Sequence, residues 1–276
     1  MKMKCILYLL LGALLTACST SKEKRQDQIE EKKKWKTFSS FDNTTIALTD
    51  EGKGSPVMLL HGFISNGSSW NNAALKQELL NAGYRVIVPD LRGNGNSDKP
   101  HTPEAYANNA ETKDLLALAD HLQLETYTAI GYSRGSIVLA KLLTQEKRIK
   151  KAVIGGMGLD FTNPDWDRRI MFAEAFGGEA PLSDITREAV EYATSIGADL
   201  KVLSLLQHHQ PVTSITELKA IETPTLIIAG DLDKDNGDPA ELQQYLPNSQ
   251  LAIVPGDHNN TYKGEEFAKK VLKFLE

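Results

Sequence analysis

A short glycine-containing turn near the middle of the chain separates a strand-like run from a helix-like run and places a serine at its apex. The turn is Gly131-Tyr132-Ser133-Arg134-Gly135, and it lies between the apolar run 126–130 and the helix-like run 136–143. Glycines two residues before and after the serine let a strand and a helix approach without Cβ clashes. This context predicts a strand, a tight turn and a helix, and it makes Ser133 a candidate nucleophile.

Strand-like and helix-like runs alternate along most of the chain. Residues 37–41 and 44–48 flank Asp42-Asn43 and predict an antiparallel hairpin. Further strands are predicted at 57–60, 85–88, 127–130, 152–154, 225–228 and 251–254. Helices are predicted at 70–81, 103–122, 136–145, 239–245 and 264–275. This alternation predicts an α/β fold in which helices cover both faces of a mostly parallel sheet.

Two polar clusters follow predicted strands in the second half of the chain. Gly230-Asp231-Leu232-Asp233 follows the run 225–229, and Pro255-Gly256-Asp257-His258 follows the run 251–254. Both clusters lie just past the carboxyl ends of strands, where open parallel sheets place their ligands. A serine hydroxyl becomes a good nucleophile only when a base takes its proton. The clusters supply a candidate base, His258, and several candidate acids to orient it.

The chain order serine, aspartate, histidine resembles that of the α/β-hydrolase family of the esterase and lipase type, over roughly residues 38–276. The resemblance implies that Ser133 attacks a carbonyl, that His258 is the base and that an aspartate orients the histidine. In this family the acid commonly ends a G-x-x-D pattern, which selects Asp233 here. The same loop offers three alternatives, namely Asp231, Asp235 and Asp238.

The reaction implied by this resemblance is cleavage of an ester-type bond in a small or medium-sized substrate through an acyl-enzyme. Serine hydrolases of this kind need no metal and no organic cofactor. Other uses of the same residues stay open: thioester or carbon–carbon bond hydrolysis, aminopeptidase action, perhydrolysis as in the cofactor-free haloperoxidases, or ligand binding without catalysis. Dehalogenases and epoxide hydrolases of this fold use an aspartate nucleophile, so Ser133 argues against them.

The residues after the first predicted parallel strand resemble the oxyanion loop of the family. His61-Gly62-Phe63 follows the run 57–60 and precedes a polar loop. The resemblance implies that the backbone N–H groups of Phe63 and Arg134 are the two donors to the developing oxyanion. Loss of one such donor typically costs about 100-fold to 1,000-fold in rate.

Two residues, one in the central turn and one directly after it, depart from the commonest family pattern. Arg134 follows the serine where the family often has an apolar residue, and Ser136 stands where a second glycine is frequent. A buried guanidinium needs an acceptor. Two hypotheses are open for the Arg134 side chain, which are an internal ion pair beneath the site and recognition of a substrate carboxylate.

The interval between residues 158 and 223 breaks the alternation of strands and helices. It contains helix-like segments at 165–176, 183–196 and 199–208 and no convincing strand. The segment resembles an insertion that the family has after the sixth strand, which forms a small helical cap over the active site. The resemblance therefore implies a cap at about 159–222, although these helices could instead only pack at the sheet edge. Its expected apolar contributors are Trp166, Phe172, Phe176, Tyr192 and Leu206.

The first residues carry a second signal, which concerns export. Residues 1–4 include two lysines, residues 6–15 are apolar, and Leu15-Thr16-Ala17-Cys18 resembles the lipobox of bacterial lipoprotein signal peptides. The apolar run is too short to span a bilayer, for which about 20 residues are needed, and is typical of a signal peptide. The resemblance implies cleavage after residue 17 and lipid modification of Cys18.

These signals predict three segments: a lipoprotein signal peptide at 1–17, a lipidated cysteine with a charged tether at 18–36, and an α/β-hydrolase domain at 37–276. The expected location is the bacterial cell envelope, with a lipid anchor in a membrane and the globular domain outside the cytoplasm. The formal net charge of −5 disfavours nucleic-acid binding, which needs a basic face. The predicted partners are a small-molecule substrate and, through Cys18, the membrane.

Overall fold

Eight strands form one sheet in the computed structural model, in the order β1-β2-β4-β3-β5-β6-β7-β8. The strands are β1 (Lys36–Ser39), β2 (Thr45–Glu51), β3 (Pro56–Leu60), β4 (Arg85–Pro89), β5 (Tyr127–Tyr132), β6 (Ile149–Gly155), β7 (Thr225–Gly230) and β8 (Ser249–Val254). Strand β2 pairs antiparallel with β4, and the contiguous run from β4 to β8 is parallel. The predicted mostly parallel sheet is confirmed.

The structure describes residues 35–276. The predicted signal peptide, Cys18 and tether residues 18–34 lie outside the described residues. Within the described part, Thr37–Glu276 forms one compact unit. No helix in this part of the chain has both the length and the apolar character that crossing a bilayer would need.

Nine α-helices occur between residues 35 and 276. They are α1 (Ala74–Asn81), α2 (Ala110–His121), α3 (Arg134–Leu143), α4 (Asp167–Gly177), α5 (Asp184–Ser195), α6 (Leu200–His208), α7 (Ile215–Lys219), α8 (Pro239–Gln243) and α9 (Glu265–Leu275). Short 3₁₀ helices cover Gly67–Asn72, Pro103–Ala105, Asp160–Thr162 and Thr261–Lys263. The positions of these helices confirm that helices lie between the strands where the sequence pattern predicted them.

Two helix predictions differ from the structure in detail. The helix predicted at 103–122 begins only at Ala110, because Asn108 and Asn109 both have left-handed backbone angles, with φ of 56° and 58°. Helix α7 was not predicted. Its start carries a recognisable capping box, in which the side chains of Ser214 and Glu217 each accept a hydrogen bond from the other residue's backbone N–H.

Alternating side chains of the central strands pack into two apolar layers, one on each face of the sheet. In β3, Val57 and Leu59 join a cluster on one face of the sheet, and Met58 and Leu60 join a cluster on the other. The first cluster includes residues of α1 and α9, such as Leu75, Leu79, Phe267 and Val271. The second includes residues of α2 and α3, such as Leu115, Leu118, Ile137 and Leu142. Burial on both faces of the sheet is what a parallel sheet requires.

The segment between β6 and β7 contains α4, α5, α6 and α7 and no strand. Its helices have a separate apolar cluster that includes Phe172, Phe176, Val202 and Leu206. The predicted helical insertion after the sixth strand is therefore confirmed. The ring of Phe63, which follows β3, packs edge-on against Phe172 and Phe176 at centroid distances of 6.3 and 5.6 Å. The insertion thus contacts the loop that follows β3.

Candidate active site

Ser133 sits in a strained turn between β5 and α3. Its backbone angles are φ 52° and ψ −122°, a region that residues with a side chain rarely adopt. Two close contacts enforce this turn. A Cβ on Gly131 would lie 2.4 Å from the carbonyl oxygen of Gly135, and a Cβ on Gly135 would lie 2.3 Å from that of Leu60. Only glycine fits at these two positions, so the serine hydroxyl is held at the carboxyl edge of the sheet.

Three side chains from distant parts of the chain meet at this edge. The Nε2 atom of His258 lies 2.9 Å from the Oγ atom of Ser133, and its Nδ1 atom lies 2.8 Å from Oδ2 of Asp233. The Asp233 side chain is 4% exposed and the His258 side chain 16% exposed. The structure therefore places the predicted serine, histidine and aspartate in one hydrogen-bonded chain.

The other acidic side chains of these loops do not contact the imidazole of His258. Asp231 accepts a backbone N–H from the neighbouring loop, and Asp238 caps the start of α8. Asp235 is about half exposed and faces a cap arginine at 3.7 Å. Asp257 is exposed and accepts backbone N–H groups of the two residues that come second and third after it. Among the alternatives that the sequence left open, only Asp233 has the geometry to orient the imidazole.

Two residues that the sequence did not indicate secure the histidine. The hydroxyl of Tyr132 donates to the backbone carbonyl of His258 at 2.7 Å, and burial raises the pKa of this tyrosine, which keeps it a donor. The amide nitrogen of Asn236 donates to the carbonyl of Gly156 at 3.3 Å and lies 3.2 Å from Nδ1 of the ring. The second distance is a packing contact and not a hydrogen bond, because Nδ1 carries the proton that it donates to Asp233. Tyr132 is the unspecified second position of the central pentapeptide, and no motif marks Asn236.

The two predicted oxyanion donors lie next to the serine and are unused. A Cβ on Gly62 would lie 3.4 Å from Cβ of Ser133, so the loop that ends in Phe63 passes directly beside the nucleophile. Arg134 is the first residue of α3, where backbone N–H groups have no acceptor within the helix. Within residues 35–276, neither the Phe63 nor the Arg134 N–H donates to another residue. Both donors are available to a negative oxygen near Ser133.

His61 fixes the orientation of one of these donors. Its Nδ1–H donates to the carbonyl of Gly62 at 2.8 Å, and its Nε2 accepts the backbone N–H of Leu91 at 3.0 Å. Burial lowers the pKa of His61, which favours the neutral ring that this pattern needs. The carbonyl of Gly62 and the N–H of Phe63 belong to the same peptide group. The imidazole therefore holds the N–H group in place through the carbonyl.

Ser136 stands where a second glycine is frequent, and the structure gives it a role. Its Oγ atom donates to the carbonyl of Gly155 at 2.8 Å and accepts the N–H of the same residue at 2.9 Å. The backbone N–H of Ser133 also donates to this carbonyl, at 2.8 Å. These bonds tie the start of α3 to the end of β6 and so brace the turn.

The Arg134 side chain forms an internal ion pair beneath the site. Its Nη2 atom lies 2.5 Å from Oε2 of Glu111, and both side chains are 3% exposed. The same nitrogen donates to the carbonyl of Leu206 at 2.8 Å, which links the cap to this pair. Of the two hypotheses for Arg134, the internal ion pair agrees with the structure, because the guanidinium already has its carboxylate.

A cavity of about 500 Å³ opens above Ser133 and His258. Its walls combine the edge of the sheet with cap residues, including Trp166, Phe172, Tyr192 and Gln207. The cap therefore roofs the site, and the alternative that its helices only pack at the sheet edge is wrong. Of the predicted apolar contributors, Phe176 and Leu206 lie in the cap's own cluster and do not line the cavity.

No group of three histidine, cysteine, aspartate or glutamate side chains in the described part of the chain has an arrangement that could hold a metal ion. The adjacent His208 and His209 illustrate this. His208 is partly exposed and lies 3.7 Å from a glutamate of the cap, while burial and the neighbouring charge of His208 lower the pKa of His209. Chemically, the Asp233–His258–Ser133 chain can turn a hydroxyl into a nucleophile without a metal.

Comparisons with known proteins agree with this fold. Residues 55–176 match a family described as the alpha/beta hydrolase fold. Over 265 residues the chain is 31% identical to a predicted non-heme chloroperoxidase of Synechocystis sp., covering 84% of this chain and 95% of the relative.

Two solved structures show the same architecture over most of the chain. A bromoperoxidase from Bacillus anthracis shares 27% identity at a TM-score of 0.68, covering 87% of this chain and 99% of the other. An esterase from Exiguobacterium antarcticum shares 23% identity at a TM-score of 0.73, covering 87% of this chain and 98% of the other. At 23% identity, the likeness to the esterase concerns the fold alone.

The contacts of the acidic side chains predict different effects for two neighbouring substitutions. We expect Asp233→Asn to slow labelling of Ser133 by a fluorophosphonate probe by about 10³-fold to 10⁴-fold, because an amide in place of the carboxylate favours the wrong imidazole tautomer. The matched control Asp235→Asn should label within about twofold of wild type. Thermal unfolding of both variants should resemble that of wild type. Equal labelling of Asp233→Asn and wild type would contradict the assignment.

Proposed function

The chain belongs to the α/β-hydrolase fold family, and from that premise we propose that it is a serine hydrolase that cleaves a carboxylic ester of a small or medium-sized substrate through an acyl-enzyme. The observation that carries the proposal is the hydrogen-bonded chain of Asp233, His258 and Ser133, with distances of 2.8 and 2.9 Å. The unused N–H groups beside Ser133 support it further, because acyl transfer needs donors where negative charge develops.

The first half of the proposed reaction forms the acyl-enzyme. Oγ of Ser133 attacks the ester carbonyl while Nε2 of His258 takes the hydroxyl proton. The carbonyl oxygen becomes negative and is stabilised by the N–H groups of Phe63 and Arg134. The carbon–oxygen bond to the alcohol then breaks, and the imidazolium returns the proton to the leaving oxygen. Asp233 stabilises the imidazolium without taking its proton.

The second half of the reaction regenerates the enzyme. A water molecule gives its proton to Nε2 of His258 and attacks the acyl carbon, and the same two N–H groups stabilise the second negative oxygen. The bond to Oγ of Ser133 breaks, the proton returns to Oγ, and the carboxylic acid leaves. The hydrogen bond from Tyr132 to the backbone carbonyl of His258 supports both halves, because one ring must serve alternately as base and acid.

The kinship with proteins named as a chloroperoxidase and a bromoperoxidase favours a second candidate function. In perhydrolysis, hydrogen peroxide takes the place of water, so that the acyl-enzyme releases a peracid and the serine hydroxyl is restored. The peracid then transfers its terminal oxygen to a halide ion outside the site, which gives hypohalous acid, and is itself reduced to the carboxylate. This candidate uses the same acyl-enzyme and needs no additional group from the protein, so the two functions differ only in the second nucleophile.

The proposed function predicts serine-dependent turnover of simple esters. In a panel of 4-nitrophenyl esters of increasing acyl length, we expect wild type to release 4-nitrophenol and Ser133→Ala to lose on the order of 10⁶-fold in turnover, because the nucleophile is absent. The exposed cap serine supplies a control, Ser195→Ala, which should retain wild-type rates. Inactivity of wild type on every ester would overturn the ester proposal.

Adding hydrogen peroxide and bromide to the same reactions distinguishes the second candidate. Serine-dependent bromination of a dye, faster than ester hydrolysis without peroxide, would favour perhydrolysis. Unchanged hydrolysis with no bromination would leave the ester hydrolase as the function.

We also propose that the protein is held at a bacterial membrane by lipid on Cys18. The proposal rests on the resemblance of residues 15–18 to a lipobox and of residues 1–17 to a signal peptide. The charged segment 18–36 lacks the apolar periodicity of a buried helix and suits a solvated spacer.

This anchor predicts lipid incorporation at one cysteine. Full-length protein produced in bacteria grown with radiolabelled palmitate should carry label and sediment with membranes. The variant Cys18→Ser should lose both properties, because the acceptor thiol is gone, whereas Cys5→Ser should keep them, because that residue lies within the predicted signal. Label on Cys18→Ser equal to that on the unsubstituted protein would refute the anchor.

A further inference from the structure

The cavity above Ser133 is lined by positive charge and by no negative charge. Among its lining residues within 35–276 are four cations and no aspartate or glutamate. The cations are Arg134, Arg168, Arg169 and Lys263. The whole chain has a net charge of −5, so this concentration of positive charge is a local property of the site. Clefts lined by one sign of charge attract ligands of the opposite sign.

Three of the four cations have partners at the site. Arg134 is paired with Glu111, and Arg168 lies 3.7 Å from a carboxylate oxygen of Asp235. The ammonium group of Lys263 lies 3.4 Å from the side-chain oxygen of Asn260. Each of these three side chains therefore already has a protein partner for its charge or for a hydrogen bond.

Arg169 differs from the other three. In the described part of the chain no carboxylate oxygen lies within 4.0 Å of its guanidinium, and its hydrogen bond is to the carbonyl of Pro164. Partial burial lowers the pKa of Arg169, and although Asp165 raises it, the nearby charge of Arg134 lowers it further. A guanidinium has five N–H donors. Arg169 lines the cavity and makes one hydrogen bond to another residue within 35–276, so it keeps N–H donors for a ligand.

Two buried amides that line the same cavity are also incompletely bonded. Gln207 and Gln210 line the cavity, and each is 6% exposed. Within residues 35–276, the Gln207 side chain makes no hydrogen bond and its Oε1 atom is buried without a partner. Gln210 uses only its Oε1 atom, which lies 3.5 Å from a guanidinium nitrogen of Arg134. Within residues 35–276 the Nε2 group of each amide has no acceptor and can donate to an anionic ligand. The buried Oε1 of Gln207 needs a donor instead, which a carboxylate does not supply.

We propose that Arg169, Gln207 and Gln210 bind a carboxylate of the substrate, so that the enzyme prefers esters that carry a second, ionised carboxyl group. This inference rests on the proposed hydrolase function of the same cavity. A carboxylate accepts two parallel hydrogen bonds from a guanidinium and further bonds from amide N–H groups. It also supplies the negative charge that the cavity lacks. A neutral acyl chain would leave these donors unpaired, which is how polar sites reject apolar analogues.

A pair of substrates that differ only in charge tests the proposal. The 4-nitrophenyl half-ester of adipic acid carries a free carboxylate, and its methyl ester is neutral. We expect wild type to favour the acidic substrate in kcat/KM by at least about tenfold, the effect of one charged hydrogen bond. In Arg169→Gln this ratio should fall at least about tenfold, mainly through KM of the acidic substrate, and Arg169→Lys should retain part of the preference.

The control is Arg187→Gln, which removes an exposed arginine of α5 that does not line the cavity. It should keep the wild-type ratio, and thermal unfolding should show that all variants are folded. A wild-type enzyme that prefers the neutral ester, or an Arg169→Gln variant with an unchanged ratio, would overturn the carboxylate site and leave the hydrolase proposal standing.

Calorimetric titration with adipate itself separates failure of this inference from failure of the proposed function. If neither ester is hydrolysed but adipate binds wild type and Ser133→Ala at least about tenfold more tightly than Arg169→Gln, the carboxylate site stands and the hydrolase proposal fails. If adipate binds wild type and Arg169→Gln equally, or does not bind wild type, the carboxylate site is refuted whatever the esterase activity.

Discussion

The close approach of β5 and α3 is the constraint on which the candidate site depends. A Cβ on Gly131 would clash with the first turn of α3, and a Cβ on Gly135 would clash with the end of β3. Ser133 takes a left-handed backbone conformation between these two glycines. Such a conformation costs on the order of 1–3 kcal/mol and persists only where surrounding structure enforces it. Here the hydrogen bonds of Ser133 and Ser136 to Gly155 provide that enforcement. The turn presents the hydroxyl at the sheet edge, and the N–H of Arg134 has no acceptor within α3 because it is the first residue of that helix.

Parallel pairing then determines which other residues can reach the hydroxyl. Because β5, β6, β7 and β8 run in one direction, the loops after β7 and β8 end on the same edge as the serine. Asp233 and His258 enter from those loops, and the loop after β3 brings the N–H of Phe63 beside them. The cap closes over this edge and is tied to it through the bond from Arg134 to the carbonyl of Leu206.

Much of this arrangement could be predicted from sequence because its signals are local. The glycine spacing around Ser133 and the positions of Asp233 and His258 just after strands are readable without coordinates. Other features depend on contacts between distant segments. Packing that no motif encodes places Glu111 beside Arg134 and the amide of Asn236 against the imidazole. The same packing leaves Arg169 without a carboxylate oxygen within 4.0 Å among residues 35–276. The late start of α2 after two left-handed asparagines is a local feature that apolar periodicity alone misses.

The central claim is that the Asp233–His258 pair makes the oxygen of Ser133 a nucleophile that carries the acyl group. Rapid-quench mass spectrometry of the intact protein during turnover of a 4-nitrophenyl ester, followed by peptide mapping, tests it directly. We expect the mass to rise by one acyl group before steady state and the acyl group to lie on Ser133. Turnover without a covalent species, or an acyl group on another residue, would contradict it.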